Sequence, residues 1–252
     1  MKNSILLTLL AVAALSVTGC QTAKKCPSQA NACSTAVSKC DSGATKQLAA
    51  TQTKASQEAM TPAQALALLK SGNERFVAGH QVKRDLTAER AATAGGQYPF
   101  AVVLSCLDSR TSSELIFDQG FGDLFNARVA GNVLDDDILG SMEFGCKVAG
   151  AKLIAVVGHS KCGAVKGACA GVELGNLTGL LNKIQPAVAA VPTSGDKTSY
   201  THVDAVAKEN VKLVLAQIKQ RSPILEELIR TEKVALVGGM YDLDSGRVVF
   251  FE

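Results

Sequence analysis

Apolar and polar positions change pattern several times along this 252-residue chain. A short apolar run covers Ile5 to Val17. From Gln21 to Met60 small and polar residues dominate, with no sustained periodicity. Regular patterning begins at Thr61-Pro62, a helix start with threonine as cap and proline in the first turn. Ala65, Leu66, Leu69, Phe76 and Val77 then share one helical stripe. A second helix is predicted over Leu86–Ala94, and Gly95-Gly96-Gln97-Tyr98-Pro99 punctuates the chain after it. Two apolar runs, Phe100–Ser105 and Leu153–Gly158, have the length and β-branched content of buried parallel strands. The remaining pattern predicts a short helix at Ser112–Phe117, a strand at Asp123–Val129 and a helix from Asp135 to Val148. Helices follow at Gly163–Ala170, Leu177–Ala190, Tyr200–Gln220 and Pro223–Arg230. Strands at Lys233–Gly239 and Arg247–Phe251 flank the Asp244-Ser245-Gly246 turn. The sum predicts an α/β fold: a mainly parallel central sheet flanked by helices, with an N-terminal helical arm and a C-terminal edge hairpin.

This divides the chain into three parts: a signal at 1–19, a flexible tether at 20–60 and one folded domain at 61–252. Lys2 supplies a charged start, and the apolar run is too short to span a bilayer comfortably. Val17-Thr18-Gly19-Cys20 resembles a bacterial lipoprotein signal. That resemblance implies lipidation of Cys20, attachment to a membrane through the N-terminal lipid, and a place in the bacterial cell envelope facing the periplasm. Cys26, Cys33 and Cys40 recur at a spacing of seven. In an oxidising compartment they can form disulfides within or between chains, and three cysteines cannot all pair internally. Charge adds one exclusion. Residues 61–252 carry 20 Lys and Arg against 21 Asp and Glu, so the folded part is near neutral and its charge does not suggest a nucleic-acid partner.

The chemistry concentrates where the two apolar runs end. The first leads into Cys106-Leu107-Asp108-Ser109-Arg110 and the second into His159-Ser160-Lys161-Cys162-Gly163. Carboxyl ends of neighbouring parallel strands converge on the edge where open α/β sheets build their sites. Two thiolates, an imidazole and a carboxylate brought together there match the ligand set of a tetrahedral zinc ion. Asp108 and Arg110 lie two apart, so in extended backbone they point the same way and pair. Asp135-Asp136-Asp137 reads as helix capping, and Cys146 and Cys169 read as small core residues. No C-x-x-C occurs, which argues against dithiol redox chemistry.

C-x-D-x-R followed some fifty residues later by H-x-x-C-G resembles the β-class carbonic anhydrases. Phe125-Asn126-Ala127-Arg128-Val129-Ala130-Gly131-Asn132 and Ser141-Met142-Glu143-Phe144-Gly145 extend the likeness. The resemblance implies reversible hydration of carbon dioxide to bicarbonate and a proton by zinc-bound hydroxide. Cys106, His159 and Cys162 would hold Zn2+. Asp108, steadied by Arg110, would orient the hydroxide, or ligate the metal itself in a closed state. Gln97 and the backbone amide of Gly163 would bind substrate, and Phe125 would give an apolar wall across a dimer interface. A homodimer or homotetramer is implied. Arg128 and Tyr241 match two members of a non-catalytic bicarbonate site, but Val103 stands where its tryptophan would, which favours an open, plant-type site. Two alternatives share the metal: hydrolysis of carbon disulfide or carbonyl sulfide, and a non-catalytic zinc-binding envelope lipoprotein. His80 and His202 are read as surface histidines with at most a proton-shuttling role.

Overall fold

The computed structural model describes residues 50–251. The signal, Cys20 and the three tether cysteines lie outside the described residues. The chain begins with α1 (Lys54–Ala59), α2 (Pro62–Val77) and α3 (Leu86–Thr93), then enters the sheet through β1 (Ala101–Ser105). A one-turn α4 (Ser113–Ile116) leads to β2 (Leu124–Arg128), followed by α5 (Asp136–Glu143) and β3 (Leu153–His159). Then come α6 (Gly163–Ala170), α7 (Gly175–Asn182), α8 (Gln185–Ala190), α9 (Tyr200–Arg221) and α10 (Pro223–Arg230). The strands β4 (Ala235–Tyr241) and β5 (Val248–Phe251) close the chain. Sheet order is β2-β1-β3-β4-β5, with four parallel strands and an antiparallel β5.

Every residue of β1 and β3 is buried, as strands covered on both faces must be. Alternate side chains feed opposite cores. Val102, Leu104, Ile154 and Val156 pack with α5, α9 and α10. Ala101, Val103, Leu153, Ala155 and Val157 pack with α2 and Phe117. A third apolar cluster lies beyond the carboxyl ends of these strands, and Cys106 and Cys162 belong to it together with residues of α6 to α9.

Local chemistry explains most boundaries. Thr61 and Gln64 form a reciprocal capping box at the start of α2, with Pro62 in its first turn. α2 packs on its own sheet, with Ala65 and Leu69 fully buried. It crosses α4 at Gly72, where an added Cβ would lie 1.7 Å from the Phe117 carbonyl oxygen. Two expected helices are interrupted. The helix from Asp135 widens into a π turn at Phe144–Val148, where Gly145 lies against Val102. The 177–190 segment breaks at Lys183–Ile184, because Pro186 cannot continue the preceding hydrogen-bond ladder.

The packed body also starts before the expected boundary at Thr61. α1 carries its own capping box, Thr53 with Ser56. Gln57 is buried and donates to the carbonyls of Pro99 at 2.7 Å and Ala149 at 2.9 Å. These carbonyls precede β1 and β3, so α1 docks at the amino end of the sheet. No helix among the described residues is long and apolar enough to cross a membrane.

Candidate metal centre

The site is set by strand register. β1 and β3 are parallel neighbours, with Ser105 opposite Val157. Cys106 therefore leaves the sheet beside the end of β3, where His159 is the last strand residue. Cys162 is the N-cap of α6, a position at which the helix dipole favours a thiolate. All three side chains are buried, and their potential ligand atoms lie within 4.8 Å of one another.

Three observations fit a metal ion. Cys106 Sγ and Cys162 Sγ are 3.9 Å apart, and tetrahedral zinc with bonds of about 2.3 Å separates two sulfurs by about 3.8 Å. His159 Nδ1 lies 2.9 Å from the Ser160 carbonyl oxygen; donating to it leaves Nε2 as the lone-pair atom. His159 Nε2 is buried and has no hydrogen-bond partner, a costly state unless a ligand meets it. Charge points the same way. A hydrogen bond from Cys162, aided by His159 and the amides of Asp108 and Gly131, brings the Cys106 thiol down to about 4 against the cost of burial. The same bond, with burial, pushes Cys162 up. The pair is thus one thiolate held by one thiol, and a bound cation would take the place of the proton they share.

Asp108 and Arg110 meet, though not by strand alternation. Residues 108–111 form a turn, in which the Arg110 N–H donates to Asp108 Oδ1 at 3.0 Å and the Thr111 N–H to the Asp108 carbonyl at 3.0 Å. The guanidinium completes a two-pronged pair, Nε to Oδ1 at 2.9 Å and Nη2 to Oδ2 at 2.7 Å. Arg110 holds the Asp108 carboxyl far below the usual carboxylate range. Asp108 Oδ2 lies 4.0 Å from His159 Nε2, beside the cluster and outside it.

The turn has supports that the sequence did not announce. Thr111 Oγ1 donates to the Cys106 carbonyl at 3.0 Å. Arg128 donates from Nε to the same carbonyl at 3.0 Å, and from Nη2 to the carbonyls of Leu107 and Asp108. Arg128 thus grips the ligand loop. Gly163 opens α6 with nothing within 4 Å of where a Cβ would stand, so the space beside Cys162 is open.

These residues lie within a stretch, 101–248, that matches the family model described as carbonic anhydrase. The chain is a β-class carbonic anhydrase. Carbonic anhydrase 2 of Mycobacterium tuberculosis is 41% identical over 190 residues, covering 75% of this chain and 92% of its own. The carbonic anhydrase of Mycolicibacterium smegmatis is 38% identical over 189 residues, covering 74% and 92%. Among solved structures, the β-carbonic anhydrase CafA of Aspergillus fumigatus superposes with a TM-score of 0.60 at 26% identity, over 75% of this chain and 90% of that one. The β-carbonic anhydrase CcaA gives 0.60 at 23% identity, over 74% and 95%.

Within one carbonic anhydrase chain, two of the expected substrate residues stand apart from the cluster. Gln97 precedes β1 whereas Cys106 follows it, and five strand residues span about 17 Å. Gln97 is exposed and lines a cavity of about 1280 Å³ with Arg84, Leu86 and Leu115. Phe125, on edge strand β2, stacks edge-on with Phe144 at 6.2 Å beside a hollow of about 500 Å³. His202, expected at the surface, is buried in the first turn of α9, while His80 is exposed. Cys146 and Cys169 are buried as expected, and burial pushes the Cys146 thiol up to about 12.

Proposed function

We propose that this carbonic anhydrase uses Zn2+, held by Cys106, His159 and Cys162, to hydrate carbon dioxide reversibly to bicarbonate and a proton. The buried His159 Nε2, left without a partner between two cysteine sulfurs, carries the metal reading. Bound there, the ion supplies Lewis acidity that lowers the pKa of water from about 16 towards about 7. The protein's part is orientation. Asp108 stays ionised because Arg110 bonds both of its oxygens, and so accepts a hydrogen bond from the attacking water and orients it. This pairing supports an open site at rest, since a carboxylate held by Arg110 is not free to take the metal. The Gly163 amide, in the first turn of α6, suits the developing bicarbonate anion. The released proton leaves to buffer.

The separation of Gln97 and Phe125 from the cluster supports an oligomeric enzyme, in which a second copy brings these side chains to each metal. The lipoprotein-like signal supports attachment through Cys20 in a bacterial envelope. Stopped-flow hydration of carbon dioxide by the full chain, with zinc assayed on the same sample between about pH 6.5 and 9, tests the reading. Turnover near neutral pH with one zinc per chain is the expected result. Zinc-loaded protein without turnover at any pH would refute it and direct the search to carbon disulfide and carbonyl sulfide.

A further inference from the structure

Two loops at the site each contain a residue in the left-handed region, Gly131 after β2 at φ 69° and Lys161 after β3 at φ 57°. Both are tied to α9. The Gly131 N–H donates to Cys106 Sγ at 3.3 Å, and its carbonyl accepts from Asn210 Nδ2 at 2.9 Å. Lys161 lies between His159 and Cys162, and its N–H donates to Asp204 Oδ1 at 2.6 Å. Asn210 is 3% exposed and interrupts an apolar stripe of Val203, Val206, Ala207, Val211 and Val214. A buried amide in such a stripe is costly unless bonded, and its bond goes to the backbone beside Cys106. A lysine in the left-handed region is disfavoured without support, and Asp204 supplies that support.

We infer that α9 is the template of the metal centre. Asn210 fixes Gly131 so that its amide meets the Cys106 sulfur, and Asp204 fixes the turn that sets the spacing of His159 and Cys162. Both are positioning residues, reaching the ligands only through backbone. The rest of α9 is anchored: Val211, Val214, Leu215 and Ile218 pack in the same core as Ile154 and Val156 of β3. One rigid element thus holds both loops in register with the strands that carry the ligands. The identity of the ion rests on the zinc reading above; the template role does not.

The test compares zinc release to a chelator, and the urea midpoint, for the full chain and its variants. Removing a partner that orients a ligand weakens metal binding roughly ten- to hundredfold. Asn210→Ala and Asp204→Ala should speed zinc release by that order. Asn73→Ala is the control. Asn73 is equally buried, donates to the carbonyls of Ile116 and Gly246, and touches no ligand loop. It should lower the urea midpoint as much while leaving release unchanged. Lys161→Gly should rescue Asp204→Ala, because glycine adopts positive φ without help. Release no faster than in Asn73→Ala, or no rescue by Lys161→Gly, overturns the inference. If the wild type binds no zinc, the metal reading fails on its own. Amide exchange at Gly131 and Lys161 in metal-free protein then decides: faster exchange in Asn210→Ala and Asp204→Ala than in Asn73→Ala supports the template, and equal exchange overturns it.

Discussion

Single side chains divide here into those that would touch the metal and those that hold them. Asp108→Asn keeps the shape of the carboxylate but loses its charge and its strong pairing with Arg110. It should retain zinc and lose about a hundredfold in kcat, the scale of a misplaced reacting group, as measured by stopped flow. Cys162→Ala should lose zinc during dialysis against a chelator, because two protein ligands hold zinc poorly. The thiol pair also predicts a pH dependence for metal-free protein. The Cys106 thiol falls to about 4 in the folded state from an ordinary 9.0. Between these values the unfolded chain binds the extra proton, so stability from this group rises with pH and is lost as pH falls towards 4. Cys162 is shifted the other way and reverses the trend above 9.0, the ordinary thiol value. The difference in urea midpoint between wild type and Cys106→Ser should therefore grow from acid to neutral pH and shrink in alkali. The motifs named the three residues that the fold brings together, Cys106, His159 and Cys162. They did not tell of the Asp108 turn, since a two-residue spacing says nothing about backbone direction. Asn210 left one trace, a polar residue on an apolar helical stripe, but the pattern could not say what it bonds.

At the level of elements, periodicity and punctuation located nearly every strand and helix, because the buried strands β1 and β3 and the capped start of α2 carry strong local signals. The misses have local causes. Pro186 split one helix, and Gly145, pressed against Val102, lies in the π turn that ends another. α1 was read as tether because six residues with no apolar face give no periodic signal. Its docking rests on one buried amide that bonds two carbonyls. Gln57→Leu should leave both unsatisfied and cost about 1–3 kcal/mol, seen as a lower urea midpoint and faster proteolysis before Thr61. Gly72→Ala should cost about 1–3 kcal/mol as well, since the new methyl has to push the Phe117 backbone away. Thermal unfolding checks it.

For the whole molecule, the amino end of the sheet carries α1 and the carboxyl end carries the metal centre. Cys20→Ala should move the full-length protein from the membrane to the soluble fraction, and continued partition with membranes would argue against lipid attachment. What the sequence determined by itself was the kind of chemistry and the frame around it. Ligand types, their motifs and the alternation of buried strands with helices are local properties, written in residue identity and spacing. What only the tertiary structure decided was proximity. The 3.9 Å between two sulfurs, the bare His159 Nε2 and the two ties from α9 all arise from strand register and helix packing. These join residues up to scores of positions apart, and no local pattern in a chain encodes such a separation.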